Sequence, residues 1–121
     1  MIHTIEQISA MAKYILDIFR TNVPVVMSWG IDPDTYKQIE DENGYYGISF
    51  TVNGFKHKGT VQVLFDEGAD YFVVKLLDDN NQVIKTCKDI FLGELVTAID
   101  NEVEHVENYD SRVSQEYGLR V

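Results

Sequence analysis

The chain is poor in the residues that staple a fold, kink it or give it a basic surface. Of its 121 residues one is cysteine, two are proline and one is tryptophan, and ten Lys and Arg stand against twenty Asp and Glu, a formal net charge of −10. A single thiol, Cys87, cannot close an intrachain disulfide, which points away from an oxidising compartment. The opening Met1-Ile2-His3-Thr4-Ile5-Glu6 lacks the basic and then apolar pattern of a secretory leader, and no run approaches ~20 apolar residues. The expectation is a cytoplasmic protein with no membrane contact. The excess of acid repels a phosphate backbone, so duplex nucleic acid is not an expected partner. No Gly-x-Gly-x-x-Gly, Walker A run, Cys-x-x-Cys, His-Glu-x-x-His or Gly-x-Ser-x-Gly occurs. No cofactor or metal is expected, and no residue is assigned a catalytic role.

What is present is enough to build a core. Hydrophobic residues make up 45% of the chain, with seven Tyr and six Phe. This is the composition of one small globular domain spanning residues 1–121, without repeats or linkers. The acid is concentrated at one end, since residues 89–121 hold eight acidic and two basic residues.

Periodicity predicts a helix over about 5–20, with Thr4 as N-cap and Gln7 completing a capping box. Residues 23–31 alternate, with Val25, Met27, Trp29 and Ile31 on one side, and read as a strand that Pro24 opens. Asp32-Pro33-Asp34 reads as a turn, and residues 35–41 are ambiguous. Asn53-Gly54 between two alternating runs is the signature of a two-residue type I′ hairpin. That turn would place Phe50 opposite His57 and Ile48 opposite Gly59. Strands over 71–77 and about 82–87 follow, the second with either Ile84 and Thr86 or Val83 and Cys87 facing inward. Asp89 is the expected N-cap of a last helix striped with Leu92, Leu95, Val96, Ile99, Val103 and Val106. The stripe continues through Tyr109, Val113 and Tyr117. Unbroken, that helix would run ~42 Å, beyond a radius of gyration near ~14 Å. A break near Asn108–Ser111 is the alternative. The expected fold is an α+β two-layer sandwich: an antiparallel sheet of four to five strands with the N- and C-terminal helices on one face, in the order α-β-β-β-β-β-α.

Two features invite a functional reading. The sheet face away from the helices should carry Tyr45, Lys56, Lys58, Thr60, Gln62, Tyr71 and Lys75, a polar surface suited to a partner. A pocket between sheet and helices, near His57 and Trp29, is the candidate place for a small molecule or a general base. The remaining candidates are weaker. Glu102-x-x-His105 has metal-ligand spacing but lacks a second such motif. Asp100, Glu104 and Glu107 form an acidic stripe, and Cys87 is a conceivable nucleophile. The leading expectation is a non-enzymatic protein–protein interaction module, with the open sheet face or the acidic helix as its contact surface and self-association into a dimer prompted by the long stripe. A ligand pocket near His57 is the alternative, and an acidic mimic of nucleic acid is the third.

Overall fold

The computed structural model describes residues 2–104. Helix α1 (Ile5–Phe19) begins where the sequence places it. Thr4 Oγ1 accepts the Gln7 N–H at 3.1 Å, and the Gln7 side chain accepts the Thr4 N–H at 2.8 Å. Ile8, Ala12, Ile15, Ile18 and Phe19 are buried at one-turn spacing, each large apolar side chain contributing roughly 1.5–3 kcal/mol.

After a 3₁₀ turn at Arg20–Asn22 the chain forms a short helix, α2 (Val23–Met27), where a strand is expected from alternation. Pro24 sits in the first turn of that helix, where its missing N–H is not needed. Gly30, at φ +64°, ends the segment in the left-handed conformation that glycine adopts without cost. Five residues of Val-Pro-Val-Val-Met satisfy a period of two as readily as one helical turn, so alternation alone could not decide. Trp29 thereby turns into the core instead of lining a strand.

Five antiparallel strands follow in the order β1-β2-β3-β4-β5: β1 (Asp32–Glu40), β2 (Tyr46–Asn53), β3 (Lys58–Asp66), β4 (Tyr71–Leu77) and β5 (Val83–Ile90). A second 3₁₀ turn (Leu92–Glu94) leads into helix α3 (Leu95–Val103). The architecture is the α+β arrangement expected from the sequence. Ile48, Phe50, Val61, Val63, Val74 and Leu76 face the helices and close the core with Ile15, Trp29, Leu95 and Ile99.

The turn at Asp32-Pro33-Asp34 exists, but inside β1. Asp32 Oδ1 accepts the Asp34 N–H at 3.0 Å, Thr35 Oγ1 donates to the Asp32 carbonyl at 2.6 Å, and the register slips between Asp32↔Thr51 and Lys37↔Ser49. The last helix does not start at Asp89. That residue lies within β5 at φ +58°, where the pairing jumps from Phe72↔Ile90 to Val74↔Cys87, as in a bulge. The same pairing divides the expected inward sets of β5: Cys87 opposes core-facing Val74, whereas Thr86 opposes Lys75 and, past a second register shift, Val83 opposes Leu77 on the other face. Leu92 is 47% exposed and leaves the stripe, while Leu95, Val96, Ile99 and Val103 are buried. The remainder of the stripe, from Val106 on, lies outside the described residues, as does the question of a break at Asn108–Ser111.

The largest correction concerns the β2–β3 hairpin. Phe50 faces Val61 and Val52 faces Gly59, so four residues, Gly54 to His57, make the loop. The cause is tertiary. The Val103 carbonyl at the end of α3 accepts the N–H groups of Lys56 at 2.8 Å and His57 at 3.3 Å, and Glu104 accepts the Phe55 N–H at 2.6 Å. Gly54 is there because α3 ends against it: a Cβ would stand 2.4 Å from the Val103 carbonyl oxygen. The slip is an even number of residues, so the apolar face of both strands survives it.

At the sheet edge, Glu40 receives the N–H groups of Ile2 (2.8 Å) and His3 (2.9 Å) together with the His3 ring at 2.5 Å, and that ring stacks on Tyr46. Burial opposes ionisation of Glu40, but the hydrogen bonds from the His3 ring and from the His3 and Ile2 backbone outweigh it and hold its pKa below the ordinary carboxylate value.

Two outcomes follow from these contacts. Gly54→Ala should lower stability by ~2 kcal/mol through overpacking, read as a shift in the urea midpoint; an unchanged midpoint would remove the close approach from the account. A depressed folded-state pKa means that the Glu40 contribution is present above its ordinary value of about 4.3 and is lost as pH falls toward the lower folded value. Glu40→Gln should therefore be less stable at neutral pH and show a flatter loss of stability across that acid window.

Candidate functional site

The side of the sheet away from the helices is concave. Residues of β1, β2, β3 and β4 and of the β4–β5 turn line a single cavity of about 720 Å³, formed by Asp34, Thr35, Lys37, Ile39, Ser49, Thr51, Thr60, Gln62, Leu77 and Asn81 with Phe50 beneath. Strands three places apart share it only because the sheet coils. A second cavity of about 350 Å³ is lined by Ile39, Asp41, Glu42, Gln62, Lys75 and Val83, among others. Ile39, Gln62, Leu77 and Asn81 belong to both, so the two are lobes of one groove.

The floor of the groove follows from strand register. Lys37↔Ser49, Ser49↔Gln62, Gln62↔Lys75 and Lys75↔Thr86 are successive Cα partners, a polar row that crosses all five strands. Thr51↔Thr60↔Leu77 forms the next row. Thr51 is fixed from β1: its N–H donates to Thr35 Oγ1 at 2.8 Å, and its hydroxyl meets the same oxygen at 3.2 Å. Among the described residues, no hydrogen bond or ion pair engages the side chains of Lys37, Ser49, Thr60, Gln62 or Asn81.

One end of the groove is closed by the β1–β2 turn. Asp41 Oδ1 accepts the N–H groups of Asn43 and Tyr45 at 2.9 and 3.0 Å, and its Oδ2 pairs with Lys75 Nζ at 2.7 Å. Both side chains of that pair are about nine-tenths buried. Leu64 and Val73 on this face are buried although none of the described helices covers it. The Tyr45 phenol is raised above its ordinary pKa by the neighbouring Asp66 charge first, then by burial and a hydrogen bond to Asp66.

The sequence-derived surface residues divide accordingly. Thr60, Gln62 and Lys75 line the groove together. Lys58 stands exposed at the start of β3, opposite Asn53. Tyr45 lies at the far end of the face, and the Tyr71 ring packs edge-on against Phe91 at 5.0 Å. Lys56 is not on the sheet face: it sits in the β2–β3 loop, with its ammonium on the Asn101 carbonyl of α3. Lys37, Thr35 and Asn81 were not legible as site residues, because β1 carries only Tyr36 and Ile39 as apolar markers and its register is broken by the Asp32 turn. Ser49 and Thr51 share the face by simple alternation, and that signal was available.

Trp29 and His57 line neither lobe. Trp29 is fully buried; its indole N–H donates to Asp100 at 2.9 Å and Phe19 meets it edge-on. The His57 ring is buried in the loop with Nε2 3.2 Å from the Thr60 carbonyl. The expected opposition of His57 to Phe50 is absent, because the four-residue loop takes His57 out of the ladder.

The other candidates are engaged in structure. Asp100 holds Trp29 and Glu104 holds the Phe55 N–H, while Glu107 lies outside the described residues. Glu102 pairs with Lys85 at 2.7 Å, and its sequence partner His105 is likewise outside. Burial first and the Glu102 charge second hold the Cys87 thiol above its ordinary pKa, which disfavours the thiolate a nucleophile requires. Among the described residues no group of three His, Cys, Asp or Glu could hold a metal ion, and no helix is long and apolar enough to cross a membrane. On the helix side, Leu16, Phe19, Arg20, Val23, Val26 and Tyr36 line a shallow apolar cleft of about 320 Å³, where burial raises the Tyr36 phenol.

No family model, curated protein or solved structure matches the chain.

The ion pair supplies a stability test. Lys75→Met leaves Asp41 buried without its partner and should cost ~3–5 kcal/mol in urea unfolding. Adding Asp41→Asn should recover part of the loss. A single variant as stable as the parent would show that the pair is solvated.

Proposed function

We propose that this chain is a non-enzymatic interaction module that engages a protein partner through the concave face of its sheet. One observation carries the reading: a groove of about 720 Å³ on a face that none of the described helices covers, floored by side chains that have no partner within the described residues. Polar side chains converging on a concavity are what a binding site needs. Among the described residues the groove lacks what a reaction needs, since its one buried ammonium is committed to Asp41 and neither His57 nor Cys87 lines it. The helix-side cleft is less than half as large and is apolar, and its one cation, Arg20, pairs with Asp17 at 2.5 Å.

The test compares three forms of the tagged chain as bait against nuclease-treated lysate of its source cells. Thr60→Trp fills the groove, and Val26→Asp disrupts the helix-side cleft. A stoichiometric partner held by the parent and by Val26→Asp but lost with Thr60→Trp is the expected result, with thermal melts confirming that each variant is folded. A partner unaffected by Thr60→Trp would move the contact surface elsewhere, and no stoichiometric partner for the parent chain would count against the module itself.

A further inference from the structure

The chemistry of the groove floor specifies more than a place of contact. Ser49 is 9% exposed, lines the groove, and has no hydrogen-bond partner among the described residues. Buried hydroxyls are almost always paired, so the partner of Ser49 comes from whatever fills the groove. Gln62 lies beside it in the polar row and Thr60 in the next, both with free side chains. Lys75 Nζ spends one of its three N–H donors on Asp41 and lines the same groove.

The charges do not favour an ionic ligand. Lys75 is neutralised by Asp41, and Glu40 is turned to His3. Lys37 and Asp34 line one end with opposite charges and no ion pair between them, and Glu42 stands at the other. Among the described residues no surplus of cations awaits a phosphate or carboxylate, and no cluster of free carboxylates awaits a cation. An aromatic platform is missing among them as well, because the Phe50 ring is buried on the helix side. Stacked bases and sugar rings therefore lack the flat surface on which they rest.

What remains is a ligand with alternating donors and acceptors and little charge. Hydroxyls donate and accept, and a Gln amide does both through separate atoms, which matches the N–H and C=O groups of an extended main chain. The dimensions agree. The two lobes follow β1 from Asp34 to Glu40, roughly 20 Å at about 3.3 Å per residue before the irregularity between Asp32 and Lys37 shortens it, room for about five or six extended residues. Resting on the module reading above, we infer that the groove takes an extended, uncharged peptide segment of the partner, its main chain hydrogen-bonded to Ser49, Thr60 and Gln62. The Ile39 and Leu77 side chains, on opposite walls, would take small apolar side chains of that segment.

The test is selection of displayed random hexapeptides on the full chain, followed by titration of the recovered peptides by fluorescence polarisation. Soluble hexasaccharides are titrated in parallel. The expected peptides are poor in charge, bind about tenfold more weakly to Ser49→Ala and to Gln62→Leu, and fail to bind Thr60→Trp. Their affinity should change less than about twofold between about 50 and 500 mM salt, because no ion pair carries it. Thermal melts of the variants separate loss of binding from loss of fold. Recovery of acid-rich or base-rich peptides with steep salt dependence would overturn the uncharged ligand. So would a saccharide that Thr60→Trp blocks; either result leaves the groove as a binding surface. Peptides that bind all three variants as well as the parent, or no peptide at all, would overturn the assignment of a peptide to this groove. A protein partner that is still lost with Thr60→Trp would in that case preserve the module reading on its own.

Discussion

The contact between the end of α3 and the β2–β3 loop determines most of what is distinctive here. The Val103 carbonyl takes two backbone N–H groups of that loop, and Glu104 takes a third. These bonds hold four residues out of the ladder where local turn chemistry would leave two. Ser49 consequently faces Gln62; with the tighter turn it would face Lys58. The polar row from Lys37 to Thr86 exists only in the observed register. A helix terminus on one side of the sheet thus sets the chemistry of the groove on the other.

The two faces of the sheet solve different problems. Toward the helices, Phe50, Val61, Val63 and Val74 are packed to exclusion of water, as the hydrophobic effect requires of a chain this short. On the opposite face none of the described helices packs. β1 and the β4–β5 turn line one groove, and the Asp41–Lys75 pair ties the β1–β2 turn to β4. A buried pair of this kind is a poor source of net stability but a good determinant of position, since either partner left alone is costly. It pins the turn and leaves the hydroxyl-lined half of the face open. The net charge of −10 hardly enters the groove, because its acids are paired, turned away or at the ends.

The sequence was most readable where one local rule acted without competition. Thr4 and Gln7 announced the start of α1, and alternation assigned Phe72, Val74 and Leu76 to the core face of β4. It failed where two rules fit the same residues. Val23 to Met27 alternate and also make one helical turn, and Trp29 needed Asp100, 71 positions away, to settle it in the core. Gly54 was right for a hairpin turn, yet its role is to admit Val103, 49 positions away. Asp89 resembled a cap and is instead the left-handed residue of a strand irregularity. On the candidate site, Thr60, Gln62 and Lys75 were placed on the correct face by parity, whereas Lys37 and Asn81 join them only through the coiling of the sheet.

Sequence by itself determined the types of α1, α3 and the strands from β2 to β5, the inward parity of the central strands and the acidic, single-cysteine character of the chain, because these depend on side-chain period and composition. Parity survives any even slip, which is why the core face of the hairpin was correct although its loop was not. Tertiary structure decided the register, the curvature and the pairing of Asp41 with Lys75. Each of these depends on groups far apart in the chain, whose hydrogen bonds compete with, and here override, the local preferences of the turns between them.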